Sequence, residues 1–180
     1  RQGWKVLVIK NTARRQALRE IMAPTIRQYK AQAMAGETPL NTVVPSQVDQ
    51  ATIDATSTNF PLVDELEHAP VLLVICVDLK VVSSMDKDLN RVGLISGASI
   101  YPFAWNIITA ARNESLGGVL TTFLANQEPQ AKQLLDLPEH VAVAAMIAIG
   151  KPVKQLTRLK RASVESFTTI DSFTGEVFGK

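Results

Sequence analysis

Residues 99–123, SIYPFAWNIITAARNESLGGVLTTF, constrain the fold of this chain more than any other stretch. Apolar side chains recur there at helical spacing and predict one long, largely buried helix over about residues 97–114. Pro102 is compatible with that helix because it falls near the first turn, where a missing N–H is tolerated. Gly117 is predicted to end the helix as its C′ residue, and a short β-like stretch, VLTT, follows. The apolar positions of the helix are Ile100, Phe103, Ile107, Ile108 and Ala111.

Three further apolar runs predict buried strands. They cover residues 4–10 (WKVLVIK), residues 71–78 and residues 141–150 (VAVAAMIAIG). The last run is too short to cross a lipid bilayer, since a spanning helix needs about 20 apolar residues. Because long helices occur with a few well-separated strands, residues 1–180 are predicted to form a single α+β domain.

Two more helices are predicted from the side-chain pattern. The first begins at Asn11 or Thr12, either of which can cap it, and Pro24 is expected to kink or split it. Its apolar face consists of Leu18, Ile21, Met22 and Ile26. The second is a short helix within the segment PQAKQLLDL.

Two segments carry little regular pattern. Residues 35–60 are polar and contain two prolines, so they are predicted to be a lid-like loop insertion with one helical turn around 48–55. The tail over residues 151–180 shows only a possible short strand at SFTTI. Its phenylalanines, Phe167, Phe173 and Phe178, have little local structure to bury them, so the tail is predicted to wrap a partner copy in an obligate homodimer.

Several classes of site are excluded by the motifs that the sequence lacks. It contains no GxGxxG, no P-loop and no GxSxG elbow. His68 and His140 stand alone, so no metal site is predicted. The net charge of +2 gives no indication of nucleic-acid or membrane binding. An enzyme built from these residues would take its chemistry from an organic cofactor, and the single Cys76 fits a reducing, cytoplasmic compartment.

Two features are compatible with such a cofactor. A helix end followed by extended backbone, as at 114–122, offers N–H and C=O groups that can bond the edge of a planar heterocycle. The run KPVKQLTRLKR, 151–161, carries five positive charges and no acid, and can clamp a phosphate. Each feature also has a plain interpretation, as a core helix that stops at a glycine and as a solvated basic loop.

Several short motifs follow one another along the chain in a definite order. Q-x-W leads into a strand, and a later strand begins AP. G-A-S-x-x-P-x-x-x-N in the long helix, L-G-G-V, I-G-x-P and a basic cluster then follow in succession. This order resembles the flavin-dependent nitroreductase family, in its actinobacterial-type form. The resemblance covers essentially the whole chain, and its specificity lies in this succession.

The resemblance implies an α+β fold with a central, mostly antiparallel sheet flanked by long helices, and a homodimer that binds FMN at its interface. Leu120, Thr121 and Thr122 would approach the N5 and O4 edge of the ring. Ser99, Arg1 and Gln2 would contribute across the dimer, and Arg158, Lys160 and Arg161 would hold the phosphate. The implied reaction is ping-pong hydride transfer from NAD(P)H to a nitroaromatic or quinone acceptor, with no catalytic side chain.

The sequence departs from the family pattern at its start. Gly3 stands where the family usually has Pro, and the Arg-rich motif that normally precedes this region is not found. The chain opens without Met directly before a core strand, so an N-terminal segment is expected to be missing. Two alternatives therefore stay open: a flavin-sequestering member without turnover, and a cofactor-free dimerisation domain.

Overall fold

The computed structural model describes residues 2–155 and 157–179; the predicted flavin contact at Arg1 lies outside these residues. A four-stranded sheet forms the centre, and every neighbouring pair in it is antiparallel. Its order is β1-β2-β4-β3, so the last strand in sequence inserts between the second and the third. The strands are β1 (Trp4–Val8), β2 (Val71–Asp78), β3 (Gly117–Thr121) and β4 (Val141–Gly150).

The α-helices of the described residues flank this sheet. They are α1 (Thr12–Met34), α2 (Gln50–Ala55), α3 (Pro61–Asp64), α4 (Tyr101–Asn113) and α5 (Glu128–Leu135). Short 3₁₀ turns occur at Leu66–His68, Ile95–Ser99, Phe123–Gln127 and Val164–Ser166. The predicted α+β class with an antiparallel sheet and flanking helices is confirmed.

Two apolar cores lie on the two faces of the sheet. Side chains from α1 and α5 pack with one face, and side chains from α4 pack with the other. The central strands β2 and β4 are therefore buried on both faces, which explains why their sequences are continuous apolar runs instead of alternating ones. Trp4 stacks on Phe103 at 4.4 Å between ring centroids and joins β1 to α4.

Two predicted boundaries were wrong. The first strand ends at Val8, two residues early, although Ile9 N–H still donates to the Leu72 carbonyl at 2.9 Å. The long helix begins at Tyr101, because residues 95–99 form a tighter 3₁₀ turn before it.

The predicted helix stop at Gly117 was also wrong. Ser115 ends α4 in a left-handed conformation, with φ of 61°. Leu116 N–H then donates to the Ala111 carbonyl at 2.9 Å and Ser115 N–H to the Arg112 carbonyl at 3.1 Å, the pattern of a Schellman cap. Gly117 is thereby free to begin β3.

The predicted cap of α1 is confirmed, because Asn11 Oδ1 accepts from Arg14 N–H at 2.9 Å. The helix is not split at Pro24, which lies within it. The predicted turn around 48–55 is α2.

The possible strand at SFTTI is reduced to an isolated bridge between Thr169 and Val177. Within residues 2–155 and 157–179, none of the helices has the length and hydrophobicity required to span a bilayer.

Candidate functional site

A cavity of about 450 Å³ opens at the C-terminal end of β3. The three residues predicted to meet the ring edge, Leu120, Thr121 and Thr122, all line it. Thr121 is buried and pairs with Met146 of β4, whereas Thr122 is exposed just beyond the strand. Leu120, Thr121 and Thr122 form one wall of the cavity, and pairing of β3 with β4 fixes its backbone. The remaining lining residues are Thr25, Tyr29, Pro39, Leu40, Phe60, Leu62, Phe123 and Asn126.

Three aromatic side chains from separate elements form a second wall of this cavity. Tyr29 of α1, Phe60 before α3 and Phe123 after β3 have ring centroids 5.2 to 6.1 Å apart and pack edge to face. Such a cluster offers rigid apolar surface to a planar ligand. Sequence reasoning missed these residues, because each lies in a segment with no motif of its own and only the tertiary fold brings them together.

A buried hydroxyl holds the segment after β3 against α1. Thr25 is only 1% exposed, and its Oγ1 accepts hydrogen bonds from Asn126 Nδ2 at 3.2 Å and Gln127 Nε2 at 3.0 Å. Glu128 Oε2 in turn accepts from the backbone N–H of Val143 in β4 at 2.7 Å. The chain that follows Thr122 is thereby tied to both a helix and the sheet.

Ser99 lies apart from this cavity, at the end of the 3₁₀ turn before α4. Its carbonyl accepts a hydrogen bond from Trp4 Nε1 at 2.6 Å, which links the turn to β1. Gln2 is exposed immediately before β1. The structure therefore does not bring Ser99 and Gln2 together with Leu120, Thr121 and Thr122 among the lining residues of the cavity.

A buried carboxylate organises the loop that leads to Ser99. Asp86 is 4% exposed and accepts from Leu94 N–H at 2.6 Å, Arg91 Nη1 at 2.7 Å and Ile95 N–H at 3.3 Å. The Leu94 hydrogen bond, followed by that of Arg91, lowers the pKa of Asp86 to about 2. Asp86 therefore caps the N-terminal end of the 3₁₀ turn at Ile95–Ser99, although it lies in an earlier part of the loop.

The basic residues predicted to hold a phosphate are solvent-exposed. Arg158, Lys160 and Arg161 lie in irregular chain, and none of them lines the cavity at the end of β3. No ion pair involves these three within the part of the chain that the structure describes. Leu159 between them faces a second cavity of about 480 Å³, which Trp105 of α4 also lines.

Neither histidine lines the cavity at the end of β3. His68 Nε2 lies 3.2 Å from Glu67 Oε1, and His140 Nε2 lies 3.9 Å from Asp78 Oδ1. Burial, with a smaller effect of the Glu128 carboxylate, raises the pKa of the Cys76 thiol to about 11, which keeps it unreactive. Among the described residues, no His, Cys, Asp or Glu side chains cluster in a way that would hold a metal ion.

Solved structures of other proteins share the fold of this chain. The chain is similar to the NADPH:FMN oxidoreductase of Vibrio harveyi in complex with NAD⁺, at 20% identity and a TM-score of 0.60, over 96% of this chain and 60% of that one. It is also similar to the nitroreductase NfrA1 of B. subtilis, at 14% identity and a TM-score of 0.59, over 96% and 58% of the two chains. Iodotyrosine deiodinase bound to FMN and 3-iodo-L-tyrosine matches at 13% identity and a TM-score of 0.60, over 95% and 77%.

These identities establish the fold alone. The chain spans about three fifths of the length of the first two structures. None of the curated proteins matches the sequence significantly. The family model described as "Nitroreductase family" matches residues 1–151, which is most of the sequence. On that match, the chain belongs to the nitroreductase family.

Proposed function

We propose that this chain is an FMN-dependent oxidoreductase that passes hydride from NAD(P)H to nitroaromatic or quinone-like acceptors by a ping-pong mechanism. Membership of the nitroreductase family supports an oxidoreductase. The names of two structural neighbours include FMN, and one of those proteins is in complex with NAD⁺. These names support the choice of cofactor and co-substrate.

The observation that carries the proposal is the cavity at the end of β3. It combines strand-end backbone at Leu120, Thr121 and Thr122 with aromatic walls, in a volume of about 450 Å³. A flavin ring needs both kinds of surface, since its faces are apolar and its edge carries hydrogen-bonding groups. The residues present therefore fit the ring portion of FMN.

FMN, when bound, supplies the hydride chemistry. The protein's own residues bind it, orient it and limit the access of water. A backbone N–H near Thr121 would stabilise negative charge at the ring edge. Because Thr25 anchors Asn126 and Gln127 to α1, the backbone after Thr122 is held in place before any ligand arrives. No side chain is proposed to act as a general acid or base.

The phosphate is proposed to be held by Arg158, Lys160 and Arg161. Their exposure and lack of carboxylate partners within the described residues leave their charges available to a phosphate. Charge-assisted hydrogen bonds from Arg and Lys to a phosphate are stronger than hydrogen bonds between neutral groups. Ser99, Gln2 and Arg1 are proposed to contribute from the partner copy.

A homodimer is proposed because large apolar side chains remain uncovered. Trp105 on α4 is 64% exposed, and Phe167 and Phe173 of the tail are 70% and 98% exposed. Aromatic residues in such positions are typical of protein interfaces. A cytoplasmic location is supported by a single cysteine, Cys76, which is buried as a free thiol.

A second candidate is a member that binds flavin without turnover. Pro39 and Leu40, from the lid-like insertion at 35–60, line the cavity and would cover part of a bound ring. Such cover would hinder the exchange of nicotinamide and acceptor that a ping-pong reaction requires.

Optical spectroscopy separates these candidates. The purified protein should show the absorbance of oxidised flavin, and anaerobic NADH or NADPH should bleach it, with colour returning on addition of a quinone. Flavin absorbance that neither nucleotide bleaches would favour the sequestering protein. A colourless protein that does not bind added FMN would contradict both candidates and favour a cofactor-free dimerisation domain.

A further inference from the structure

Leu40 adopts an unusual backbone conformation for its residue type. Its φ of 55° lies in the left-handed region, which side chains other than Gly, Asn and Asp rarely occupy. Ser115 and Asp136 share this conformation, but they are explained as the residues that end α4 and α5. Leu40 ends no helix.

The local sequence makes leucine a surprising choice at this position. Pro39 followed by a residue of positive φ is the pattern of a type II turn, in which Gly or Asn usually occupies the second place. The favoured type, Asn, occurs one place later in the sequence, at Asn41, and not at position 40 itself. Gly or Asn would adopt this backbone conformation with less strain than Leu. The presence of Leu is therefore a reason to look for a functional role of its side chain.

Leu40 lines the cavity at the end of β3. It is 37% exposed, so its burial contributes only part of what a core leucine would contribute. The same cavity is lined by Leu120, Thr121 and Thr122, the proposed ring-edge residues. A leucine at this position therefore takes up part of the cavity that a glycine would leave to a ligand next to the bound ring.

A buried hydrogen bond fixes Leu40 to α1. Gln32, in the last turn of that helix, is 4% exposed, and its Oε1 accepts from Leu40 N–H at 2.8 Å. A buried amide is costly unless it is hydrogen-bonded, so this contact specifies where the turn lies.

The rest of the loop closes on itself. Glu37 accepts from Ser46 Oγ at 2.6 Å and from Gln47 N–H at 2.7 Å, which joins the two ends of the loop 37–47. Asn41 Oδ1 accepts from the N–H groups of Val43 and Val44, both at 2.8 Å. The loop is thus organised in advance, and it presents Leu40 to the cavity as a fixed wall.

We propose that Leu40 is a specificity-determining residue, whose side chain favours one-ring acceptors over fused two-ring acceptors, and that Gln32 is the positioning residue that holds it there. This inference rests on the proposed function, because it assigns the part of the cavity next to Leu40 to the electron acceptor.

The test compares 1,4-benzoquinone with 2-methyl-1,4-naphthoquinone as acceptors. Leu40→Gly removes the side chain and is compatible with φ of 55°, so the fold and the melting temperature should be retained. The ratio of kcat/KM for the two-ring over the one-ring quinone should rise about tenfold, the usual size of a steric change in an apolar pocket. Val43→Gly is the matched control, because Val43 is 84% exposed on the same loop and does not line the cavity. Its ratio should stay within about twofold of wild type.

A double-mutant cycle tests the role of Gln32. Gln32→Met removes the acceptor at similar volume, and should shift the same ratio in the same direction by a smaller factor. Adding it to Leu40→Gly should change the ratio no further, because no side chain is then left to position. Fully additive effects would overturn the positioning role.

Failure of this inference can be distinguished from failure of the proposed function. If wild type holds flavin and turns over both quinones, a Leu40→Gly ratio within about twofold of wild type overturns the inference, as does an equal shift in Val43→Gly. If wild type shows no turnover, calorimetric titration with the same quinones gives a ratio of dissociation constants. A selective gain for the two-ring quinone in Leu40→Gly supports the inference, and an unchanged ratio overturns it.

Discussion

The end of β3 and the basic run 151–161 differ in how strongly the fold determines their geometry. At the end of β3, ladder pairing with β4 holds Leu120 and Thr121 in place. The chain that follows Thr122 is held by the hydrogen bonds to Thr25 and by the packing of Phe123 in the aromatic wall. In the basic run, Arg158, Lys160 and Arg161 are exposed in irregular chain, and the hydrogen bond from Arg161 Nη1 reaches only the neighbouring Lys160 carbonyl, at 3.2 Å.

This difference follows from what each half of the ligand requires. A planar ring needs a shaped apolar surface and fixed backbone groups, which a sheet and its packed helices provide. A phosphate needs charge, and long basic side chains keep their charge hydrated until a ligand or a second copy orders them. We therefore infer that a single chain builds the ring half of the site, and that the phosphate half is completed on binding.

The largest expected effect is at the phosphate half. Replacing Arg158 and Lys160 together by Ala should weaken FMN binding about a hundredfold or more, since each charge-assisted contact contributes about 1.5–3 kcal/mol. Riboflavin, which lacks the phosphate, should bind wild type and the variant with similar affinity. Fluorescence titration measures both ligands.

The control for this change is Lys10→Ala with Lys80→Ala, which removes two exposed positive charges elsewhere on the surface. It should leave FMN affinity within about twofold of wild type, because exposed charges are screened over about 10 Å. Unchanged FMN affinity in the Arg158 and Lys160 variant would mean that the basic run is only a solvated loop.

The ring half should respond differently to a block at the mouth of the cavity. Thr122→Trp places a large side chain on an exposed position, so it should obstruct the cavity without disturbing the core. FMN and riboflavin should both lose about ten- to a hundredfold in affinity, corresponding to the 1–3 kcal/mol of a steric clash. Thr174→Trp, on the exposed tail, is the control. A loss confined to FMN would place the ring elsewhere.

The contribution of a second copy can be tested on α4. Trp105→Glu introduces a charge on a 64% exposed aromatic residue, and should weaken a dimer by about 2 kcal/mol or more if that residue is central to the interface. Light scattering should show dissociation, accompanied by weaker FMN binding. Met34→Glu, at a 79% exposed position at the end of α1, should leave the dimer intact. A wild-type chain that is a stable monomer at low micromolar concentration contradicts the shared site.

The smallest effect is expected at the loop before Ser99, and it depends on pH. Because the pKa of Asp86 is lowered to about 2 by its hydrogen bonds, its ionised form stabilises the fold above the ordinary value of 3.8, and this stabilisation is lost as the pH falls toward 2. Asp86→Asn should therefore lower the melting temperature at pH 7, and the difference from wild type should close between about pH 4 and pH 2. The control is Asp88→Asn, at a side chain that is 83% exposed, and it should leave the melting temperature at pH 7 close to that of wild type.

Much of the fold could be predicted from local sequence. The runs at 71–78 and 141–150 are β2 and β4 at the predicted residues, because strands buried on both faces are continuously apolar. The helix stop was missed because Ser115, with no sequence signal as strong as a glycine, takes the left-handed position. The insertion of β4 between β2 and β3 depends on long-range pairing that no local pattern encodes.

The candidate site also contains some residues that the sequence analysis named and others that it missed. Leu120, Thr121 and Thr122 were predicted as ring-edge residues from the family resemblance. They line one cavity, and their contact with a flavin stays a prediction. Tyr29, Phe60 and Phe123 were not predicted, because α1, the chain before α3 and the chain after β3 meet only in the folded protein. Leu40 was missed for a related reason: its significance lies in a backbone angle.

The most direct test of the central claim, that the end of β3 receives the flavin ring, is a titration of the protein with FMN followed by backbone amide chemical shifts. The claim predicts saturable binding, with the largest shifts at Leu120, Thr121 and Thr122 and at the aromatic wall around Phe123. Titration with riboflavin should shift the same amides, at higher concentration. Absence of saturable binding, or shifts that leave these amides unmoved, would contradict it.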